Sequence, residues 1–339
     1  MSPTELNTIA GLTTGIIAGD RRALARAISH IENATALAQP LLAALYPRAG
    51  QAHIIGVTGA PGTGKSTLVN GLALDYRRRG LSIGIVAIDP TSPFSGGALL
   101  GDRVRMRDLA GDAGIFIRSM ATRGSLGGLA QATADVVMLL DAASFDRILI
   151  ETVGVGQSEV EIASTAHTTV VVEAPGLGDE VQAIKAGILE IADIFAVNKA
   201  DREGADRTVM ALKMMLGLGV PDKHQVIHHG RILPITLPAP DPDPAAWMPP
   251  IHKTVAVQNQ GLGELVDDIE AHRLYLEQSG TRQLRDRLRA ATELRMILRD
   301  ALLAQVLERT PTAVLNELVD AVAERQLDPY TAVRHLIGG

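Results

Sequence analysis

The run Gly59-Ala60-Pro61-Gly62-Thr63-Gly64-Lys65-Ser66 has the spacing G-x-x-x-x-G-K-[ST], a pattern suited to holding phosphates. Its glycines let the backbone N–H groups of Ala60, Gly62, Thr63 and Gly64, around Pro61, point inward at phosphate oxygens. Lys65 brings a point charge to the outer phosphates, and the Ser66 hydroxyl is a ligand for Mg2+. Thr67 can donate to a phosphate further in. This loop alone leaves an ATPase, a kinase and a GTPase open, because a triphosphate is chemically the same whichever base it carries. A second run, Asn198-Lys199-Ala200-Asp201, fits the NKxD pattern. The Asp201 carboxylate can accept from the N1–H and the N2 amino group of guanine, whereas adenine offers an acceptor at N1 and no amino group beside it. The Lys199 stem would cover the base and Asn198 would brace the pocket. Together the two runs predict GTP and GDP as ligands and GTP hydrolysis as the reaction, with Mg2+ as cofactor.

Two acids end apolar runs close to this chemistry: Asp89, in Asp89-Pro90-Thr91-Ser92, and Glu151, in Glu151-Thr152-Val153-Gly154-Val155-Gly156-Gln157. Carboxylates at strand ends beside a phosphate loop hold Mg2+ directly or through water. Asp89 is assigned the inner position and Glu151 the water-mediated one, with Lys65 and Glu151 as the catalytic pair. Asp102, in Gly101-Asp102-Arg103, is a third metal candidate. Each of these acids could instead cap a helix or stand as a surface charge. Gly154 and Gly156 permit the backbone to rearrange on gain or loss of a terminal phosphate, as a switch requires. A second candidate for movement is the stretch from Ala174 to Lys185, which could equally be an ordinary strand-to-helix loop. His224, His228 and His229, with Asp222 nearby, suggest a metal, but Val220-Pro221 and Gly230 favour a solvated loop.

These residues need a scaffold that brings strand ends together. From His53 onward, short β-branched runs at 54–58, 82–88, 115–118, 147–151, 168–172, 194–197 and 254–257 alternate with helical stretches. Such alternation predicts an α/β fold, a mostly parallel sheet flanked by helices, with ligand sites at the carboxyl ends of its strands. Residues 1–47 read as a helical prelude, with Leu24, Ala27, Ile28 and Ile31 on one stripe behind a cap at Asp20. Pro40 suits a helix start and Pro47 a helix end. The proline-rich stretch 230–250, which holds Trp247, reads as an irregular loop. Helices are predicted over 281–309, 311–325 and 328–337, the last capped by Asp328-Pro329. Leu284, Leu288, Ala291, Leu294, Ile297, Leu298 and Ala301 recur at spacings of mostly three and four, a helical face that packs on something. The expected division is 1–47, 48–280 and a C-terminal helical arm at 281–339.

Composition narrows the function further. With 339 residues, 46% of them hydrophobic, the chain can bury a large core. A net charge of -6 argues against a long footprint on nucleic acid. No cysteine is present, so disulfides, thiolate metal sites and cysteine nucleophiles are excluded. No stretch reaches the about 18–20 apolar residues of a membrane span, and the first residues lack the character of a signal peptide. A cytoplasmic protein without membrane or nucleic-acid partners is expected.

Taken together, Gly59 to Thr67, Gly96-Gly97-Ala98-Leu99-Leu100-Gly101-Asp102, Glu151 to Glu159 and Asn198 to Asp201 resemble the MeaB/ArgK family of GTPases, most specifically in Glu151-Thr152-Val153-Gly154-Val155-Gly156-Gln157-Ser158-Glu159. The similarity runs from about Asp20 to Arg273. It implies a homodimer whose GTPase activity gates adenosylcobalamin loading onto an acyl-CoA mutase, methylmalonyl-CoA mutase or a relative, and protects or reactivates that enzyme. It also implies switches over 89–102 and 151–159, and a third at 174–185 in which Asp179, Gln182 and Lys185 couple nucleotide state to the partner. Val255, Ala256 and Val257 would complete the base pocket, where the family normally has a serine-containing turn. Met120, Ala121 and the segment 219–231 also depart from the family pattern. A nickel-insertion GTPase would carry a Cys/His-rich segment, and a signal-recognition GTPase a basic, methionine-rich domain. This chain has no Cys and only 9 Met. An ATP-dependent kinase of a transport component would need ATP to bind in preference to GTP, and a scaffold without turnover would release no phosphate.

Overall fold

The computed structural model describes residues 2–89, 109, 111–121, 126–152, 162, 164–176, 190–217 and 247–338. The chain divides into two compact units, Met1–Asp286 and Arg287–Gly339. In the first, three helices, α1 (Pro3–Ile17), α2 (Arg21–Glu32) and α3 (Ala38–Leu45), precede β1 (His53–Thr58) and α4 (Lys65–Arg78). There follow β2 (Ile83–Asp89), β3 (Ile115–Ala121), α5 (Leu126–Ala142), β4 (Arg147–Glu151), β5 (Thr168–Glu173), β6 (Ile194–Val197), α6 (Ala205–Gly217), β7 (Ile251–Lys253) and α7 (Leu262–Gln278). The strands form one sheet in the order β3-β2-β4-β1-β5-β6-β7, and every pairing is parallel. The α/β class and the parallel sheet agree with the alternation in the sequence.

Strand periodicity divides the core between two faces. Ile54, Val86, Ile148 and Ile150 pack with α1, α2, α3 and α5. Their neighbours Ile55, Val57, Ile85 and Leu149 pack with α4 and α7. The expected stripe on α2 is buried at Leu24, Ala27, Ile28 and Ile31, and the Asp20 side chain accepts from Arg22 N as its cap. The N-terminal helices therefore share a core with the sheet.

One strand lies earlier than expected. The β-branched content of residues 254–257 predicts a strand there, yet β7 is Ile251–Lys253, paired with Phe195–Val197. Beyond it Val255 bridges back to Gln260, a 3-10 turn spans Ala256–Gln258, and Asn259 takes φ 54°. The run Gln258-Asn259-Gln260-Gly261 supplies turn formers that override the propensity of Val255 and Val257. Similarly, α3 starts at Ala38, before Pro40, and Pro47 sits inside a 3-10 turn rather than ending the helix itself.

Long-range polar contacts fix the amino-terminal ends of the strands. Asp141, on α5, accepts from the backbone N–H groups of Gly50, Gln51 and Ala52 at 2.6, 3.0 and 2.9 Å, which sets the entry into β1. Ala52 is buried whereas Gly50 and Gln51 are exposed, so water can replace the carboxylate at two of the three donors. Asp141→Ala should therefore destabilise the fold by about 2 kcal/mol, and a urea midpoint equal to wild type would show that the loop holds itself. Nearby, Thr168 Oγ1 lies 2.7 Å from His53 Nε2 and 2.8 Å from His272 Nδ1. Burial, and then the neighbouring His167 and Arg147, hold the His53 pKa well below the usual imidazole range, so this ring stays neutral. Asp193 accepts Arg285 Nη1 and Nη2 at 3.0 and 2.9 Å, and Trp247 Nε1 donates to the Asp193 carbonyl at 2.8 Å.

The three C-terminal helices are α8 (Thr281–Arg309), α9 (Thr312–Ala323) and α10 (Pro329–Gly338). Asp328 caps α10, accepting from Thr331 N at 3.0 Å, as Asp328-Pro329 predicted. In the second unit Leu288, Leu294, Ile297, Leu298 and Leu302 of α8 are exposed, with Ala332 the buried apolar residue among those described.

Candidate functional site

At the carboxyl end of β1 the chain enters the glycine-rich loop, and two of its glycines are required by close approach. Gly59 has φ +136°, and a Cβ there would lie 2.1 Å from the carbonyl oxygen of Val172 on β5. Gly64 has φ +93°, and its Cβ would lie 2.5 Å from Asn198 Nδ2. Any side chain at either place would push the loop away from the sheet. Gly64 is also the residue before α4, whose first turn has no side-chain cap. The free N–H groups and the positive end of the helix dipole therefore face the loop, an arrangement suited to an anion.

Lys65 and Ser66 open α4, and both are buried. Lys65 Nζ donates to the carbonyls of Gly59 and Ala60 at 2.9 and 3.0 Å, so the ammonium is held within the loop. Thr63 Oγ1 donates to the Ala60 carbonyl at 2.9 Å. Ser66 Oγ donates to Glu151 Oε1 at 2.6 Å, bringing together two residues far apart in sequence that were both expected to serve a metal. Pro61 and Gly62 are exposed and Thr67 is half-buried. Asp89 is the last residue of β2, paired with Ala121 of β3.

The second run lies beside the first. Asn198 N donates to the Glu173 carbonyl at 2.8 Å, continuing the line of β5 and β6. The Asn198 side chain is buried and bonded on both sides: Nδ2 donates to the Thr63 carbonyl at 2.8 Å. Its Oδ1 accepts from Ala256 N at 3.0 Å and from Thr254 Oγ1 at 3.3 Å. Lys199 Nζ donates to the Gly62 carbonyl at 2.6 Å. The two runs and the turn after β7 are thus one bonded unit. Asp201 is exposed at its rim, Ala256 is buried and Val257 is 77% exposed. Thr254 braces Asn198 without having stood out in the sequence; its only signal there is a hydroxyl at the head of an apolar run.

Several expected residues lie outside the described ones: Asp102, the third-switch set Asp179, Gln182 and Lys185, and the histidines His224, His228 and His229. Among the described residues there is no cluster of three or more His, Cys, Asp or Glu able to hold a metal. Nor is any helix among them long and apolar enough to cross a membrane.

Comparison with known proteins bears on this geometry. The family model described as "Methylmalonyl Co-A mutase-associated GTPase MeaB" matches residues 24–311. A Pyrococcus abyssi protein with a GTPase name is 47% identical over 325 residues, which cover 95% of this chain and 94% of that one. The mouse protein named "Methylmalonic aciduria type A homolog, mitochondrial" is 37% identical over 215 residues, covering 59% of this chain and 52% of its own length. The crystal structure of a protein named LAO/AO transport system kinase superposes with a TM-score of 0.70 at 25% identity, covering 100% of this chain and 98% of that one.

Proposed function

Because this chain belongs to the MeaB family of methylmalonyl-CoA mutase-associated GTPases, we propose that its GTPase activity serves an adenosylcobalamin-dependent acyl-CoA mutase, gating cofactor loading and protecting or reactivating that enzyme. The observation that carries the nucleotide half of this reading is the bonded unit of phosphate loop, Asn198-Asp201 and the turn at Ala256. It joins the glycine-rich loop to the run that ends in Asp201, which supports reading the loop as a phosphate cradle and that carboxylate as the guanine acceptor. In it residues 60–67 hold the phosphates, Asn198 and Lys199 fix and cover the base, and Asp201 reads its N1–H and amino group. Val255, Ala256 and Val257 line the remaining side.

The donors beside the loop fit Mg2+, a hard cation that takes oxygen ligands. The Ser66 hydroxyl and the Glu151 carboxylate are in direct contact, and both are oxygen donors that metal and water can share. Ser66 would bind the ion, Glu151 would hold its water, and Asp89 and Asp102 are the further proposed ligands. Bound there, the ion would neutralise charge on the outer phosphates. Lys65 holds a positive charge in the same loop, and Gly59 and Gly64 let the backbone approach Val172 and Asn198 closely.

The mutase half rests on the family description and on the name of the mouse relative. Intrinsic hydrolysis should be slow, since the sequence offers no evident arginine finger and no glutamine placed to orient water. Such a site is completed by a partner. GTP turnover should therefore rise when a cobalamin-dependent acyl-CoA mutase is added. With Asp179, Gln182 and Lys185 as the coupling set, Lys185→Ala should keep basal rate and nucleotide affinity while losing most of the stimulation. Single-turnover hydrolysis with and without saturating mutase checks both statements. No acceleration by any such mutase would overturn the chaperone reading, and equal stimulation of the variant would overturn the role of Lys185. The exposed apolar residues of α8 support a homodimer through the C-terminal arm, because a face of this kind is stable in water when a second copy covers it. The name of the kinase that superposes on the whole chain favours a second reading, an ATP-dependent kinase; it requires ATP to outcompete GTP, against the chemistry of Asp201.

A further inference from the structure

Strands β1 and β4 pair in parallel from His53 with Arg147 to Val57 with Glu151. One residue further the two chains part. Thr58 leads into Gly59 and the phosphate loop, and Thr152 leads away from Glu151. At that point Thr152 N donates to the Val57 carbonyl at 3.3 Å, and the Thr152 hydroxyl donates to the Thr58 hydroxyl at 3.0 Å. Both threonines are buried, at 2% and 0% exposure. A pair of hydroxyls is not what stability alone selects here. Valine has the same shape and suits a strand end, and replacing both partners of a buried hydrogen bond by apolar groups of equal shape is nearly neutral or stabilising.

The pair closes a ring of bonded groups. From Thr58 the chain runs through the phosphate loop to Ser66, whose hydroxyl donates to Glu151. Glu151 is joined to Thr152, and Thr152 returns to Thr58. Beside the backbone bond from Thr152 N to Val57, side chains thus tie Glu151 to the phosphate loop twice, once through Ser66 and once through the hydroxyl pair. The first tie is temporary if Ser66 takes another partner when nucleotide and cation bind. We propose that the Thr58–Thr152 hydroxyl pair is a positioning device that keeps Glu151 in register with the phosphate loop when Ser66 exchanges partners. This rests on the assignment of residues 60–67 and Glu151 to the GTPase site. Both threonines act through Glu151 and the loop.

The test is a set of five variants: Thr58→Val, Thr152→Val, the double Val variant, Thr152→Ser and Thr152→Ala, with Lys65→Ala as the site control. Each single Val leaves one buried hydroxyl without its partner and should lower the urea midpoint; the double variant should regain it. GTP turnover should not follow stability. The double variant should keep the KM for GTP near wild type but lose about tenfold in kcat, a change of about 1.4 kcal/mol in the barrier, while Thr152→Ser keeps the wild-type rate. A double variant with wild-type stability and wild-type kcat overturns the proposal. If the double variant does not fold, Thr152→Ser against Thr152→Ala decides, and equal kcat in those two overturns it as well. Full turnover in Lys65→Ala would instead remove the site assignment itself, an outcome distinct from failure of the pair.

Discussion

Lys65→Ala should lower GTP turnover by about 10²–10³-fold, the loss typical of removing one donor aimed at developing charge. The ammonium is stationed inside the loop by two neutral carbonyls, those of Gly59 and Ala60. Carbonyl dipoles hold a cation more weakly than a phosphate oxygen does, so Lys65 is in place before the nucleotide arrives and can exchange those partners for the ligand. Charge builds on the terminal phosphoryl oxygens as the bond to the leaving group breaks, which makes the effect larger on turnover than on ground-state binding. Affinity should also fall more for GTP than for GDP, because the missing charge serves the outer phosphates. Burial makes stability a necessary control: alanine leaves the Gly59 and Ala60 carbonyls without this donor. Phosphate release under single-turnover conditions, with GTP and GDP titrations and a urea curve on the same sample, separates the effects. Normal turnover in a folded variant would exclude the loop from the reaction.

Much of the frame is legible in the sequence because it depends on local signals. The limits of β4 at Arg147–Glu151 and of β6 at Ile194–Val197 follow from apolar runs between turn formers. The length of α8 follows from its spacing, and the cap at Asp20 from its side chain. The turn at 254–260 is not legible, because the β-branched residues there favour a strand, and the deciding contact, Ala256 N to Asn198 Oδ1, spans distant parts of the sequence. The same applies to Asp141 reaching Gly50, Gln51 and Ala52, to the histidines around Thr168, and to the Thr58–Thr152 pair. The proposed metal roles of Glu151 and Ser66 can be read from sequence because each belongs to a pattern, and the two side chains are in contact. Thr152 belongs to the same stretch as Glu151, but nothing in the one-dimensional string tells which hydroxyl it faces. Pairwise contacts between strand ends become visible only once strand order is known, and β1 lies between β4 and β5 in the sheet, not beside its neighbour in sequence.

Base choice offers the second large effect. Asp201→Asn should weaken GTP by about 10²-fold, since each charge-assisted bond lost is worth about 1.5–3 kcal/mol, and should turn preference toward XTP. The carboxylate presents two acceptors to guanine, whose N1–H and N2 amino group are both donors. Asparagine keeps one acceptor and replaces the other with a donor, the complement of xanthine, which has N1–H beside a C2 carbonyl oxygen. The structure makes this a clean test, because the loop does not depend on the Asp201 side chain. Asn198 is fixed by Thr63, Thr254 and Ala256, Lys199 by Gly62, and Ala200 N donates to the Thr254 carbonyl at 3.0 Å. Asp201 itself is exposed, so the substitution leaves those bonds intact and changes only what the rim offers to a base. The phosphate loop is untouched, and XTP bound by the variant should therefore be hydrolysed at a rate close to that of GTP in the wild type. Competition titrations of GTP, XTP and ATP against a fluorescent nucleotide, followed by phosphate release with the preferred one, measure both steps. Unchanged GTP affinity in Asp201→Asn would mean that guanine is read elsewhere, whereas a loss of GTP with no gain of XTP would mean that the carboxylate orders the loop rather than reading the base.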